Sequence, residues 1–196
     1  RMFIKRTAAT AMGAAVFPAI VPSSVFGKNA PSNKIHIGQI GCGRIARDHD
    51  MAETIKYDKA QFVAVCDVDS KRLADGKKYV DEYYAKRTGQ NSYSNVKTYE
   101  NYIDMLADKN IDAVIISTPD HWHAEPAIRA ALAKKDIYLQ KPTSLTVDEG
   151  RLLSEVVRRQ HVILQVGTQQ RSSPQFRIAA ELVRNGRIGK LHTVKI

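Results

Sequence analysis

Three glycines lie within six positions in the segment KIHIGQIGCGRIARDH, residues 34–49. Each glycine costs conformational entropy on folding, so Gly38, Gly41 and Gly43 require a physical reason. One reason is a tight turn between a strand and a helix. The other is a cradle in which backbone N–H groups and a helix N-terminus approach a phosphate. The pattern Gly41-x-Gly43-x-x-Ala46 does not decide between the two by itself, so the surrounding elements must.

Residues able to do acid–base chemistry are concentrated in two later segments, STPDHWHAEPA at 117–127 and YLQKP at 138–142. A lysine that is partly desolvated in a crevice can exchange a proton near neutral pH, which would give Lys141 a catalytic role. Pro142 would fix the backbone that presents it. The alternative is an exposed lysine at a strand end. His121 and His123 have no nearby carboxylate or cysteine cluster, so no metal site is predicted.

The chain alternates between strand-like and helix-like apolar patterns from residue 34 onward. This alternation is typical of parallel βαβ units, and the apolar run DAVIIST indicates a strand buried on both faces of a sheet. Strands are predicted at 34–40, 60–67, 95–99, 112–118, 136–140 and 162–168, and helices at 45–55, 70–88, 102–107, 124–135, 146–160 and 173–186. Ser70 is the expected cap of the second helix, and Thr146 with Glu149 forms a capping box. The predicted fold is α/β, a doubly wound parallel Rossmann sheet over residues 34–167.

An acidic residue, Asp67, ends the second predicted strand 26 residues after Gly41. In doubly wound sheets such an acid accepts the hydroxyls of the adenosine ribose, so loop, strand order and acid together predict a dinucleotide site. Asp67 would repel a 2′-phosphate, which favours NAD over NADP. Arg72 argues against this preference for NAD, because an arginine just past this strand can hold the 2′-phosphate of NADP. The alternatives are a turn or capping role for Asp67 and a solvated helix position for Arg72.

Four motifs in order along the chain resemble the Gfo/Idh/MocA family, which includes glucose-fructose oxidoreductase and inositol dehydrogenase. They are Gly41 to Ala46, Thr118-Pro119 with His123, Lys141-Pro142, and Val166-Gly167 with Arg171. The resemblance covers residues 35–196 and implies that Lys141 lies beside the nicotinamide and the substrate. There it would hydrogen-bond or move the proton of the hydroxyl being oxidised.

The site residues follow from this resemblance and from the rule that ligands bind beyond the carboxyl ends of parallel strands. Lys141 and His123 are the predicted catalytic residues, although His123 could instead orient groups near the nicotinamide or cap the next helix. The predicted cofactor-binding residues are Gly41, Gly43, Arg44, Ile45, Ala46, Asp67, Thr118, Pro119, His121, Trp122, Lys141 and Pro142. The residues predicted to contact substrate are Trp122, Lys141, Gln169 and Arg171.

Two positions depart from the family pattern. Gln140 stands where the family usually has Glu, and a neutral amide can hydrogen-bond but does not stabilise a charged Lys141. Lys134 stands where the turn after a helix normally has Gly, which predicts local backbone strain rather than a change in mechanism.

The formal net charge of +10 is unevenly distributed along the 196 residues. Residues 1–47 hold seven Lys or Arg and no acid, while residues 48–196 hold 23 basic and 20 acidic side chains. No basic stripe is interleaved with aromatic residues, so nucleic-acid binding is not expected. The two cysteines, Cys42 and Cys66, are too few for a disulfide framework and are predicted to be buried thiols.

The basic N-terminus has the layout of an export signal peptide over residues 1–27, followed by a linker at 28–33. Its RMFIK resembles the end of a twin-arginine signal, with an ordinary Sec signal or a disordered arm as the alternatives. The apolar stretch is too short to span a bilayer, so no stable membrane anchor is predicted. We therefore expect a periplasmic or extracytoplasmic protein that is exported folded.

The C-terminal residues 168–196 read as an amphipathic helix followed by the start of a strand, KLHTVKI. This pattern predicts the beginning of a truncated C-terminal α+β domain that binds substrate and forms a homo-oligomer, so residues 1–196 alone should show no turnover. The function expected is NAD-dependent oxidation or reduction of a sugar, polyol or glycoside at a carbinol carbon. An NAD-dependent glycoside hydrolase and a non-catalytic dinucleotide sensor are the alternatives.

Overall fold

The fold is seen in a computed structural model that describes residues 33–195. The predicted signal peptide at 1–27, most of the linker and Ile196 lie outside the described residues. The residues from Lys34 onward form one compact unit.

A single six-stranded sheet forms the centre of this unit, and every strand pair in it is parallel. The strand order is β3-β2-β1-β4-β5-β6, which reverses between β1 and β4. The strands are β1 (Ile35–Ile40), β2 (Ala60–Cys66), β3 (Lys97–Tyr99), β4 (Ala113–Ile116), β5 (Asp136–Gln140) and β6 (Leu164–Gly167). This order confirms the predicted doubly wound Rossmann fold.

Six α-helices accompany the strands in the described residues. They are α1 (Met51–Thr54), α2 (Ser70–Thr88), α3 (Tyr102–Leu106), α4 (Ala124–Leu132), α5 (Val147–Gln160) and α6 (Pro174–Arg184). Two apolar clusters cover the two faces of the sheet. One joins the strands to α3, α4 and α5 and the other joins them to α1 and α2. Burial on both faces explains the continuous apolar run of β4.

Local signals account for most helix boundaries, with two corrections. The capping box of Thr146 and Glu149 is present at the start of α5. The cap of α2 is Asp69 rather than Ser70, because the Asp69 side chain accepts the Arg72 N–H. The helix predicted at 45–55 is divided into a π-helical turn, Ala46–Asp50, and the short α1. The strain predicted at Lys134 is confirmed, since this residue has a left-handed φ of 61°.

Residues beyond β6 have little contact with the sheet. Helix α6 has no buried residue, and Phe176 and Ile178 on it are exposed. The strand predicted from KLHTVKI is wrong for the described residues 190–195, which pair with no other strand. An alternating pattern forms a strand only when a neighbouring backbone satisfies its hydrogen bonds.

Candidate functional site

A crevice of about 670 Å³ lies beyond the carboxyl ends of the strands. It includes the point where the strand order reverses between β1 and β4, which is where doubly wound sheets bind ligands. Its volume is within the range of small-molecule sites. The predicted residues that line it are Gly41, Gly43, Arg44, Ile45, Asp67, Thr118, Pro119, His121, Trp122, His123 and Lys141.

Four predicted residues do not line this crevice. Ala46 is fully buried beneath the glycine loop. Pro142 directly follows the lining residue Lys141, and its carbonyl contacts the His123 ring. Gln169 and Arg171 lie in a short 3₁₀ helix after β6. Their predicted contact with substrate stays a prediction.

The glycine loop connects β1 to the π-helical turn. Gly41 has a φ of 83°, and a Cβ added there would lie 2.8 Å from the carbonyl oxygen of Ser117. Gly41 is therefore required by the fold, because its backbone passes directly against the end of β4. A Cβ added to Gly43 would have no atom within 4 Å. The open space at Gly43 fits the close approach of a phosphate to the backbone.

Asp67 connects this loop to the end of β2. Its Oδ2 accepts the Cys42 N–H at 2.7 Å, and its Oδ1 accepts the Asp69 N–H at 2.9 Å. The predicted turn role of Asp67 is therefore present. Asp67 also lines the crevice, and each carboxylate oxygen has a second lone pair to accept a ribose hydroxyl. The two roles are compatible.

Two arginines stand near this acid in the wall of the crevice. Arg44 is exposed at the start of the helical turn, and Arg72 lies in the first turn of α2. The Arg72 side chain is 57% exposed, and its Nε is 4.0 Å from Asp69. Arg72 is therefore a solvated helix residue that also lines the crevice, and its contact with a 2′-phosphate stays a prediction.

His123 is almost fully buried, with 1% of its surface exposed. Its Nε2 is 2.8 Å from the Thr118 carbonyl oxygen, and its Nδ1 contacts the Pro142 carbonyl oxygen. The side chain does not cap α4. It joins the loop after β4 to the loop after β5, an arrangement that fits the orienting role better than proton transfer.

Lys141 follows the buried end of β5 and is exposed in the crevice. Its backbone N–H donates to the Oε1 of Gln140 at 3.1 Å. The Nε2 of Gln140 donates to the Oδ1 of Asp50 at 2.8 Å. The backbone of Lys141 is thus connected to a buried carboxylate beneath the crevice.

The buried thiols have no reactive character. Burial is the main cause that raises the pKa of both Cys42 and Cys66 to about 12. Both are free cysteines, as the sequence predicts. Such thiols remain protonated at neutral pH and serve as small apolar side chains.

Several crevice residues were missed by the sequence interpretation. They are Val68, Glu100, Tyr102, Asp120 and Pro126. The rule that sites follow the carboxyl ends of strands would have found Val68, Glu100 and Tyr102, because they come directly after β2 and β3. No sequence signal indicates Pro126, which enters the wall only through the packing of α4.

No helix in residues 33–195 is long and apolar enough to cross a membrane. In the same part of the chain, no three His, Cys, Asp or Glu side chains are grouped so that they could hold a metal ion.

The fold and crevice define a dinucleotide-binding α/β domain. Residues 35–168 match the family model described as GFO_IDH_MocA, oxidoreductase family, NAD-binding Rossmann fold. The chain belongs to this family, and NAD is the cofactor of its fold. The open space at Gly43, the buried Ala46 and the acid Asp67 fit that cofactor.

Relatives and solved structures agree with this assignment. The myo-inositol 2-dehydrogenase of Thermotoga maritima is 33% identical over 163 residues, which is 83% of this chain and 44% of that protein. The scyllo-inositol 2-dehydrogenase (NAD(+)) of Bacillus subtilis is 31% identical over 158 residues, 81% of this chain and 42% of that protein. The chain thus spans less than half the length of these relatives.

Two solved structures share the fold. Scyllo-inositol dehydrogenase from Lactobacillus casei, with bound NAD(H) and scyllo-inositol, has a TM-score of 0.66 and 26% identity over 80% of this chain and 43% of that chain. The WlbA dehydrogenase from Bordetella pertussis, in complex with NADH and UDP-GlcNAcA, has a TM-score of 0.64 and 27% identity over 82% of this chain and 42% of that chain.

Proposed function

We propose that this chain is the NAD-binding part of an exported oxidoreductase that transfers hydride at a carbinol carbon of a sugar, polyol or glycoside. The observation that carries the proposal is the position of Lys141, which shares one crevice with the glycine loop and with Asp67. Lys141 is exposed in this crevice, where its ammonium group could contact both a bound dinucleotide and a substrate. The relatives described as inositol dehydrogenases support the class of substrate.

Residues at one end of the crevice would bind the cofactor, and residues at the other end would act on the substrate. Gly41 and Gly43 would hold the pyrophosphate, and Asp67 the adenosine ribose. When bound, NAD supplies a carbon that accepts or returns hydride. Lys141 would hydrogen-bond the reacting hydroxyl and take or return its proton at Nζ. His123 fixes the loops on either side of that position through two backbone carbonyls.

Export is also part of the proposal and rests on the basic, apolar pattern of residues 1–27. Free dinucleotide is scarce outside the cytoplasm, so an exported enzyme would keep NAD tightly bound and regenerate it within one catalytic cycle. A second sugar could reoxidise or rereduce the bound cofactor. A homo-oligomer formed through a C-terminal domain belongs to the same proposal.

Two alternatives remain for the whole protein. A glycoside hydrolase could oxidise its substrate transiently, which acidifies the C–H of the neighbouring carbon. Loss of that proton would expel the aglycone from the next carbon, water would add in its place, and the hydride would then be returned. A sensor would bind the dinucleotide without turnover. The presence of Lys141 at the crevice favours the oxidoreductase over both.

An assay on the full-length protein distinguishes these three functions. A panel of polyols, free sugars and glycosides is incubated with the NAD-loaded protein, and both sugar products and the redox state of the cofactor are measured. Oxidised product with reduced cofactor, or exchange between two sugars, supports the proposal. Released aglycone without net reduction indicates the hydrolase, and no product with any substrate indicates the sensor.

Variants at Lys141 test the residue that carries the argument. We expect Lys141→Ala to leave NAD affinity nearly unchanged and to lower hydride transfer roughly 10²- to 10⁴-fold, the usual effect of losing a positioned acid–base group. Lys141→Arg should not restore it, because a guanidinium keeps its proton. Unchanged turnover in Lys141→Ala with NAD bound would make Lys141 a surface residue only.

A further inference from the structure

A buried carboxylate lies beneath the crevice and takes no part in the proposed chemistry. The side chain of Asp50 is fully buried between the π-helical turn and the sheet. Its Oδ1 accepts from Gln140 Nε2 at 2.8 Å, and its Oδ2 accepts from Ser117 Oγ at 2.5 Å. His49, at 3.4 Å from Oδ1, is partly exposed. Asp50 therefore joins the first helical turn to the ends of β4 and β5.

We propose that Asp50 is a positioning residue for Lys141 and that it acts through Gln140. Burying a carboxylate costs several kcal/mol even when it is hydrogen-bonded. An apolar side chain could attach the helical turn to the sheet at a lower cost. The charge is instead bonded to the two strand ends that border the crevice, and one of these bonds leads to the Lys141 backbone.

The orientation of Gln140 follows from its two partners. The Lys141 N–H requires an acceptor, and the Asp50 carboxylate requires a donor. Only one orientation of the amide satisfies both, with Oε1 toward Lys141 and Nε2 toward Asp50. If Asp50 were displaced, the Gln140 amide would lose the acceptor that holds this orientation, and the start of the Lys141–Pro142 segment would lose its anchor.

The second bond of Asp50 leads to the glycine loop. Ser117 Oγ, which donates to Asp50, also accepts from Gln39 Nε2 at 3.0 Å. The same Gln39 nitrogen donates to the Gly41 carbonyl oxygen at 2.9 Å. One buried charge is thus connected to both ends of the crevice, the phosphate loop on one side and Lys141 on the other.

This geometry also accounts for the amide at position 140. A carboxylate at 140 would lie against the Asp50 carboxylate, and two buried like charges at hydrogen-bond distance cannot both remain ionised. One carboxylate and one amide avoid this repulsion without protonating either group. We infer that the single negative charge beneath Lys141 is supplied by Asp50 and that Gln140 transmits its position.

Four proteins test this inference: the wild type, Asp50→Asn, Gln140→Glu and the double variant Asp50→Asn/Gln140→Glu. They differ in which hydrogen bonds of this network are satisfied. The wild type satisfies all of them. Asp50→Asn keeps an oxygen for the Gln140 Nε2 but turns an N–H toward Ser117, whose hydroxyl must then accept instead of donating. Gln140→Glu places two carboxylates together. In the double variant Asp50→Asn/Gln140→Glu, the Asn oxygen accepts from Ser117 and its NH₂ donates to Glu, whose other oxygen accepts the Lys141 N–H.

The first readout is hydrogen exchange at the Lys141 N–H of the full-length protein, resolved to single residues by mass spectrometry. We expect Gln140→Glu to accelerate this exchange at least tenfold and the double variant to return it to within threefold of the wild type. Gln165→Glu is the matched control, because it adds a carboxylate at an exposed position of the neighbouring strand β6. It should leave the Lys141 exchange unchanged.

The second readout is turnover, and it alone rests on the proposed function. NAD affinity should stay within threefold in Gln140→Glu while hydride transfer falls about tenfold, and the double variant should recover it. A double variant no better than Gln140→Glu, or a Lys141 N–H unaffected by Gln140→Glu, would overturn the inference. Absence of turnover in the wild type would count against the proposed function only, since the exchange readout needs no substrate.

Discussion

Substitutions at Gly41, Gly43 and Gly89 distinguish the structural role of the glycine loop from its role in binding NAD. Gly41→Ala places a side chain on a residue with a φ of 83° and puts its Cβ 2.8 Å from the Ser117 carbonyl oxygen. The left-handed conformation costs an alanine about 1–2 kcal/mol, and displacing a backbone in a packed region adds about 1–3 kcal/mol. Together these predict a loss of about 2–5 kcal/mol in the free energy of unfolding.

Gly89 and Gly43 show how much of this loss in free energy comes from the left-handed conformation and how much from the close contact. Gly89 has a φ of 67° at the end of α2, and an added Cβ meets nothing within 4 Å. Gly89→Ala should therefore lose only the conformational part, about 1–2 kcal/mol. Gly43 has neither a left-handed φ nor a close neighbour. Gly43→Ala should change stability by no more than about 0.5 kcal/mol, while its methyl group occupies the space for the pyrophosphate.

The assays are thermal unfolding without nucleotide and calorimetric titration with NAD. For a domain of this size each kcal/mol corresponds to about 2–4 °C in Tm, so Gly41→Ala should lower Tm by about 4–20 °C. Gly43→Ala should keep the wild-type Tm and lose at least tenfold in NAD affinity, and Gly89→Ala should bind normally. If Gly43→Ala bound NAD as the wild type does, the loop would be a turn only. If Gly41→Ala were as stable as the wild type, the close contact with Ser117 would be refuted.

The remaining expectations concern cofactor identity and acid stability. NAD should be recovered from the purified full-length protein after gentle denaturation; recovery of NADP alone, or of no nucleotide together with no measurable affinity, would contradict the cofactor. Asp67→Asn should weaken NAD binding and narrow the preference for NAD over NADP about tenfold in competition titrations, because Arg44 and Arg72 line the same crevice and would attract a 2′-phosphate; an unchanged preference would exclude Asp67 from selectivity. The hydrogen bond from Lys97 is the main cause that lowers the pKa of Asp108 to about 2. The stability contributed by this ion pair is therefore present above about pH 4 and is lost as the pH falls through 2. We expect Lys97→Ala to lower the free energy of unfolding by about 0.5–1 kcal/mol at pH 7. In denaturant titrations this difference from the wild type should shrink toward pH 2, and a constant difference would refute the ion pair.

Prediction from the sequence succeeds where the signal is local. Period-two and period-3.6 apolar patterns placed the six strands and most helices, since each pattern reports which face of an element is buried. The capping box at the start of α5 is formed by Thr146 and Glu149, which lie within four positions of each other in the sequence. The strain at Lys134 was predicted from the resemblance, because the family normally has Gly at this turn after a helix, and its left-handed φ agrees with that. The same reasoning failed for KLHTVKI, since strand formation depends on a partner that a local pattern does not specify.

Placing the crevice required only strand order and the position of each strand end. Parallel strands bring their carboxyl ends to one edge, so Gly41, Asp67, Thr118 and Lys141 converge even though they are far apart in the chain. Applied to β3 as well, the same rule would have included Glu100 and Tyr102.

Tertiary structure alone decided what lies beneath that crevice. Asp50 reads in the sequence as one more polar residue of a surface helix, yet the π-helical turn buries it against Ser117 and Gln140. The sequence left His123 as a catalytic, orienting or capping residue, and only the packed structure brings both of its ring nitrogens to backbone carbonyls. The reason is physical. Periodicity and spacing report the average environment of one element. A hydrogen-bond network depends instead on distances between side chains from several elements, and these distances are set only when the sheet and helices pack together.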